Sequence, residues 1–76
     1  MEVLIGRIYK HYKGNYYIVE NLALNTETDE TMVIYKALYG NGEVFARPLE
    51  SFIQKLDNKN QEHRFELQNI DSVMKN

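Results

Sequence analysis

Phe45-Ala46-Arg47-Pro48-Leu49-Glu50-Ser51-Phe52-Ile53-Gln54-Lys55-Leu56 is the stretch on which the fold turns. Pro48 has a fixed φ and no N–H to donate, so it suits the end of an extended segment and the start of a helical turn. Beyond it two readings are open. Leu49, Phe52, Ile53 and Leu56 fall at i, i+3, i+4 and i+7, with Glu50 early and Lys55 late, the pattern of a two-turn amphipathic helix. Alternatively, one helical turn at 48–52 leads into a strand at 52–56. So short a helix is marginal, and a strand here can pair with Arg64–Gln68 across the polar Asp57–His63 connection. The second reading is therefore the expectation. A full helix would instead leave a sheet packed beneath it.

Upstream, Thr31–Tyr39 is the best strand in the chain. Its alternation puts Val33, Tyr35, Ala37 and Tyr39 on one face and Met32, Ile34, Lys36 and Leu38 on the other. Both faces are apolar, so the one turned from the core calls for a second layer, a partner chain or a ligand. Asn41-Gly42 is a strong hairpin signal and returns the chain into Glu43–Arg47. Before this strand, Asn25–Thr31 is a polar, acidic loop, and Tyr16–Leu24 is a run of β-branched and aromatic residues. Lys13-Gly14-Asn15 separates that run from a first strand over residues 3–12, making a hairpin. The order is strand, hairpin, strand, hairpin, helical turn, strand. It predicts a mainly β domain: a small SH3-like barrel of about five to six strands with one short helical turn after Pro48. Residues 1–69 make the single domain and 70–76, poor in apolar residues, a flexible tail.

With 76 residues the chain has room for one domain and a small core. It has no Cys, which excludes disulfides and thiolate metal sites, and His11 and His63 lack ligand spacing, so no cofactor or structural metal is expected. Packing of six Tyr and three Phe, or self-association, must supply stability instead. The net charge of −2 gives no bulk attraction to a polyanion, so nucleic-acid binding would need a local basic patch. No apolar run approaches the roughly 18–20 residues of a membrane span. Met1–Ile5 lacks the features of a signal peptide, and a cytoplasmic location is the expectation.

From His11-Tyr12-Lys13-Gly14 onward the chain resembles a family of small bacterial domains, domain of unknown function 1653 (DUF1653). The likeness continues through Tyr17, Thr26-Glu27-Thr28, Val33-Ile34-Tyr35, Ala37-Leu38-Tyr39-Gly40, Arg47-Pro48-Leu49, Phe52 and Arg64-Phe65, spanning roughly residues 6–67. It rests on their order and spacing together. Asn25 stands where the family often has His, and Phe45 where it often has Trp, so any chemistry carried by that His is absent here. The resemblance implies a compact domain without an assigned activity.

Arg7–Tyr17 interleaves Arg7, Lys10, His11 and Lys13 with Tyr9, Tyr12, Tyr16 and Tyr17 and contains no acid. Cations among flat rings suit bases and phosphates; the plainer reading is an ordinary hairpin with core tyrosines. Arg47 could anchor a carboxylate or phosphate, or pair structurally with Glu50 or Glu27 or stack on Tyr35. Glu27-Thr28-Asp29-Glu30 lacks the register and Gly of a calcium loop and reads as solvated. The leading expectation is a non-catalytic binding module for a nucleotide, nucleic acid or other phosphate-bearing ligand. Its ligand-binding face would use Tyr9, His11, Lys13, Tyr35 and Arg47, flanked by Tyr12 and Tyr39. One alternative is a protein-interaction or homodimerisation domain that uses the doubly apolar strand. The remote alternative is a hydrolase-type enzyme that pairs His11 with Glu27.

Overall fold

The computed structural model describes residues 2–57 and 60–70; the tail expected over 70–76 falls, beyond residue 70, outside the described residues. Five strands and one helical turn follow in order: β1 (Ile8–His11), β2 (Tyr16–Leu24), β3 (Thr31–Ala37), β4 (Val44–Pro48), α1 (Leu49–Phe52) and β5 (Phe65–Leu67). They form one antiparallel sheet in the order β4-β3-β2-β1-β5. The turn residues deliver the expected hairpins. Gly14, at φ 113°, tightens the β1–β2 turn as its N–H reaches the His11 carbonyl at 2.8 Å. The first strand is shorter than the expected 3–12 because Gly6, at φ 84°, bends the chain before Ile8.

Alternation then sorts the side chains. On β3, Val33, Tyr35 and Ala37 are buried, while Met32 and Ile34 on the other face are half-buried and Lys36 is exposed. Tyr39 lies beyond the strand end and is partly exposed. On β2 the alternation stops at a register shift between Val19 and Asn21, after which every residue to Leu24 is exposed. The bulge swings this half of the ribbon away from the core.

The core lies on the face that receives α1. Tyr9, Val19, Val33, Phe52 and Phe65 are fully buried, joined by Val3, Tyr17, Tyr35 and Ala37. Phe52 lies flat on Phe65, with centroids 4.1 Å apart, and meets Tyr9 and Tyr35 edge-on at 5.4 Å. Offset and edge-on packing of this kind adds about 0.5–1.5 kcal/mol per pair beyond area burial. This is how so short a chain, lacking cysteine, holds together.

The stretch after Pro48 resolves between its two readings. The helix ends at Phe52, so the two-turn helix does not form. An extended piece does follow, but its partner differs from expectation. Lys55 bridges His63, the Arg64 N–H reaches the Gln54 carbonyl at 2.8 Å and the Leu56 N–H reaches the Glu62 carbonyl at 2.6 Å. The final strand, β5, pairs instead with β1, placing Phe65 opposite His11. Phe65 gains more by entering the core beside Phe52 than by staying in a peripheral hairpin. Among the described residues no ladder joins β4 to β5, so the sheet is open and the expected barrel closure is not made. β5 is only three residues long, and α1 follows directly on β4, with its Phe52 stacked on Phe65 of β5. No helix of the described residues is long and apolar enough to cross a membrane.

Candidate anion-binding face

Residues directly opposed across antiparallel strands point to the same side. The register therefore assembles a single inner face from five strands. Tyr9 opposes Tyr17, Tyr17 opposes Ala37, Tyr35 opposes both Val19 and Phe45, Val33 opposes Arg47, and His11 opposes Phe65. Toward one end of this face the rings of His11, Tyr17, Tyr35, Phe45 and Phe65 form a continuous network with centroid separations of 4.8–6.4 Å. The hydroxyls of Tyr17 and Tyr39 lie 2.8 Å apart, so Tyr39 and Phe45, both partly exposed, form an aromatic rim.

Two guanidinium groups meet at Ser51 on α1. Arg47 donates from Nε to the Tyr35 hydroxyl and from Nη1 to Ser51 Oγ, both at 3.1 Å, with its guanidinium carbon 5.6 Å from the Phe65 ring centre. Arg64 donates from Nε to the Ser51 carbonyl at 3.1 Å and from Nη2 to Gln54 Oε1 at 2.6 Å. All these acceptors are neutral. Among the described residues the ion pair of the molecule is His63 with Glu66 at 3.5 Å, and no carboxylate pairs with Arg47, Arg64 or Lys13.

His11 lies on the same inner face and is acted on by this charge. Its ring packs on Tyr12 at 4.6 Å and on Phe65 at 4.8 Å. Its Nδ1 accepts the backbone N–H of Lys13 at 3.1 Å. Burial, and then the charges of Arg47, Arg64 and Lys13, hold its pKa below the ordinary histidine value. The Tyr17 phenol is pushed up to about 12, by burial first and then by its hydrogen bond to Tyr39. Both shifts have the same meaning: these groups stay neutral near pH 7.

The sequence-derived site divides accordingly. His11, Tyr35 and Arg47 converge on the inner face, and Lys13 stands at its edge with its ammonium 5.9 Å from the Tyr12 ring centre. Tyr9 shares the face but is 0% exposed, its hydroxyl accepting the Leu4 N–H at 2.9 Å, so it has no surface for a ligand. Tyr35 is buried too and acts through its hydroxyl on Arg47. Arg47 pairs with neither Glu50 nor Glu27. Sequence reasoning missed Arg64 and Ser51 as site residues; Arg64 showed only as part of the Arg64-Phe65 pair.

The pairing of His11 with Glu27 is overturned. His11 lies at the Tyr16 end of β2, whereas Glu27 is in the loop beyond Leu24. Eight residues of strand at about 3.3 Å each separate those ends by roughly 25 Å. The loop 25–30 closes on itself instead: Asn25 Oδ1 accepts the Glu27 N–H at 2.9 Å and the Asn25 carbonyl accepts the Asp29 N–H at 2.7 Å. Between this loop and α1 lies a cleft of about 290 Å³ lined by Asp29, Glu30, Thr31, Pro48, Leu49 and Glu50. Elsewhere Glu62, His63 and Glu66 bring ligand-type atoms within 4.8 Å of one another. There Glu66 Oε2 is already taken up by the N–H groups of Glu62 and His63, at 2.7 and 3.0 Å, and serves as a turn cap.

These features define the class: a small, open, antiparallel β-domain whose inner face combines stacked rings with cations that, among the described residues, have no carboxylate partner. The chain belongs to the DUF1653 family of proteins of unknown function, whose profile matches residues 7–67. It is similar to a DUF1653 protein from Bordetella bronchiseptica, known from a crystal structure. The two are 32% identical, with a TM-score of 0.72 over 83% of this chain and 85% of that one. No curated protein matches the chain.

Proposed function

We propose that this domain is a non-catalytic binding module that takes an anionic, phosphate-bearing ligand on its inner face. One observation carries the reading: Arg47, Arg64 and Lys13 all act on His11 with positive charge, and among the described residues no carboxylate is paired to any of them, although the chain as a whole is acidic. A cation cluster left uncompensated repels itself and is retained most readily where an anion completes it. Arginine presents a planar fork suited to phosphate, and Phe45 and Tyr39 offer ring surface at the rim for a base or other flat group. The strand order, with one helical turn before the last strand, supports grouping the domain with SH3-like folds. A cytoplasmic setting is consistent with this reading.

The test is a titration of the labelled protein with short single-stranded RNA and DNA and a nucleotide panel, followed by amide NMR. Binding should move the signals of His11, Lys13, Arg47, Ser51 and Arg64 and weaken as salt rises. Shifts confined to other residues, or none at millimolar ligand, would defeat the proposal.

A second reading, protein interaction or homodimerisation, cannot use strand addition to β3, the doubly apolar strand, because β2 and β4 pair with both its edges; it draws instead on the edge strand β4. The Ala37 N–H bonds to the Glu43 carbonyl, and this phase turns the backbone groups of Val44 and Ala46 away from β3, toward the open edge of the sheet. Strand addition could use them. Sedimentation over a wide concentration range decides the homodimer version.

A further inference from the structure

The geometry points to a phosphate monoester, held as its dianion, as the ligand class of the inner face, with His11 serving as a neutral N–H donor and not as a fourth cation. This rests on the anion-binding reading above. The argument begins with an amide. The backbone N–H of Lys13 can only donate, so His11 Nδ1, 3.1 Å away, must be its acceptor. The ring proton then sits on Nε2, which donates to no group among the described residues and is not a buried, unsatisfied atom. Nε2–H is thus an open donor, oriented by the hydrogen bond on the opposite side of the ring.

The surroundings keep it neutral. Lys13 from the β1–β2 turn, Arg47 from β4 and Arg64 from the segment before β5 all act on His11 with positive charge. The tyrosines packed near it are Tyr12 and Tyr17. Glu66 of β5 opposes Lys10 rather than His11, on the other face, and its carboxylate caps the turn at 62–63. A proton on Nδ1 would break the Lys13 hydrogen bond and add a fourth positive charge.

Charge matching then separates ligand classes. A phosphodiester brings one negative charge to three permanent cations. A monoester brings nearly two at pH 7, because its second pKa is about 6. At pH 7 His11 is neutral, so the dianion meets an N–H donor and three cations. A carboxylate brings one charge and fewer acceptor oxygens.

The experiment uses the full chain, with AMP, cyclic 3′,5′-AMP, adenosine and inorganic phosphate as probes. AMP and its cyclic diester share a base and differ in phosphate charge. AMP is expected to bind at least about tenfold more tightly than either cyclic AMP or adenosine, a gap of ~1.4 kcal/mol. Its affinity should rise from pH 5.5 to about 7, as the phosphate takes its second charge, and then level off. Long-range nitrogen–proton NMR of the ligand-free protein should show His11 Nε2 protonated and Nδ1 bare. His11→Gln, whose amide N–H can replace Nε2–H, should keep AMP affinity within about threefold, whereas His11→Phe should lose roughly tenfold; amide spectra establish that each variant is folded. Equal affinity for AMP and cyclic AMP overturns the monoester assignment and leaves the anion-binding reading standing. No binding of AMP or phosphate overturns the monoester assignment, and a failure of the oligonucleotides as well overturns the anion-binding reading. An Nδ1–H tautomer, affinity that climbs as pH falls below 6, or equal losses in the two variants overturns the donor role.

Discussion

On one flank of α1, Arg47 and Arg64 converge on Ser51 beneath a wall of aromatic rings. On the other, Asp29, Glu30 and Glu50 line an open cleft of about 290 Å³. The acidic cleft is a defined hollow, yet its parts are explained without a ligand. Thr28 and Glu30 hydrogen-bond each other at 3.1 Å, the loop around Asn25 is closed by its own backbone, and the exposed carboxylates are solvated. On the basic face, among the described residues, Arg47 and Arg64 have only neutral partners. The cleft therefore points one way and the unpaired chemistry of the described residues the other. A half-buried guanidinium held by a phenol and a serine is the rarer arrangement, because removing charge from water without an opposite charge is costly.

The comparison breaks most completely if α1 is loosened, since both hollows depend on it. Phe52→Ala removes the ring stacked on Phe65 and should cost about 3–5 kcal/mol in denaturant unfolding, enough to unfold much of so small a domain. A loss below about 1 kcal/mol would mean that α1 anchors neither side. Next comes the contrast itself. Arg47→Gln should weaken AMP binding by about 2 kcal/mol, or ~30-fold, while Glu50→Gln on the opposite flank should leave it unchanged or slightly stronger. Similar losses in both variants would erase the distinction.

The pH dependence of stability sharpens the picture of the basic side. The Tyr17 pKa is raised to about 12 from an unfolded value near 10, so the folded protein holds this proton more tightly. Its contribution is complete below pH 10 and is lost as the pH climbs from 10 toward 12. Tyr17→Phe should flatten that decline in thermal unfolding. For His11 the folded pKa is lowered, so its contribution is present above pH 6.5 and is lost as the pH falls below it. The smallest effect belongs to the acidic side. Asn25→Ala removes the acceptor for the Glu27 N–H and should cost about 1 kcal/mol without altering anion affinity. A titration shift in the inner-face signals of this variant would show the two ends to be coupled.

Much of the fold is legible locally. The alternation in Thr31–Ala37, the Asn25–Glu30 loop, the Gly14 turn and the helical turn after Pro48 all follow from residue types and their immediate neighbours. The candidate site is legible only in part. His11 and Arg47 stand out as basic residues beside rings and both pack on Phe65, and Lys13 lies at their edge. Tyr9 shows why depth is another matter: alternation places it on the face of His11, but only the arrival of Phe52 from α1 buries it. The pairing of His11 with Glu27 fails because loop positions carry no information about which end of a sheet they occupy.

The reading of Arg47–Leu56 marks the boundary between the two levels. By itself the sequence determined that the chain must stop being a strand at Pro48, because a residue with no N–H and a fixed φ ends the ladder, and that the following helix would be short. The tertiary structure alone decided what came after. Phe65 gained its burial against Phe52 as its strand joined β1, and that choice carried Arg64 to Ser51 beside Arg47. Strand partners separated by half the chain are selected by the apolar surface they bury together, a quantity that no single segment contains.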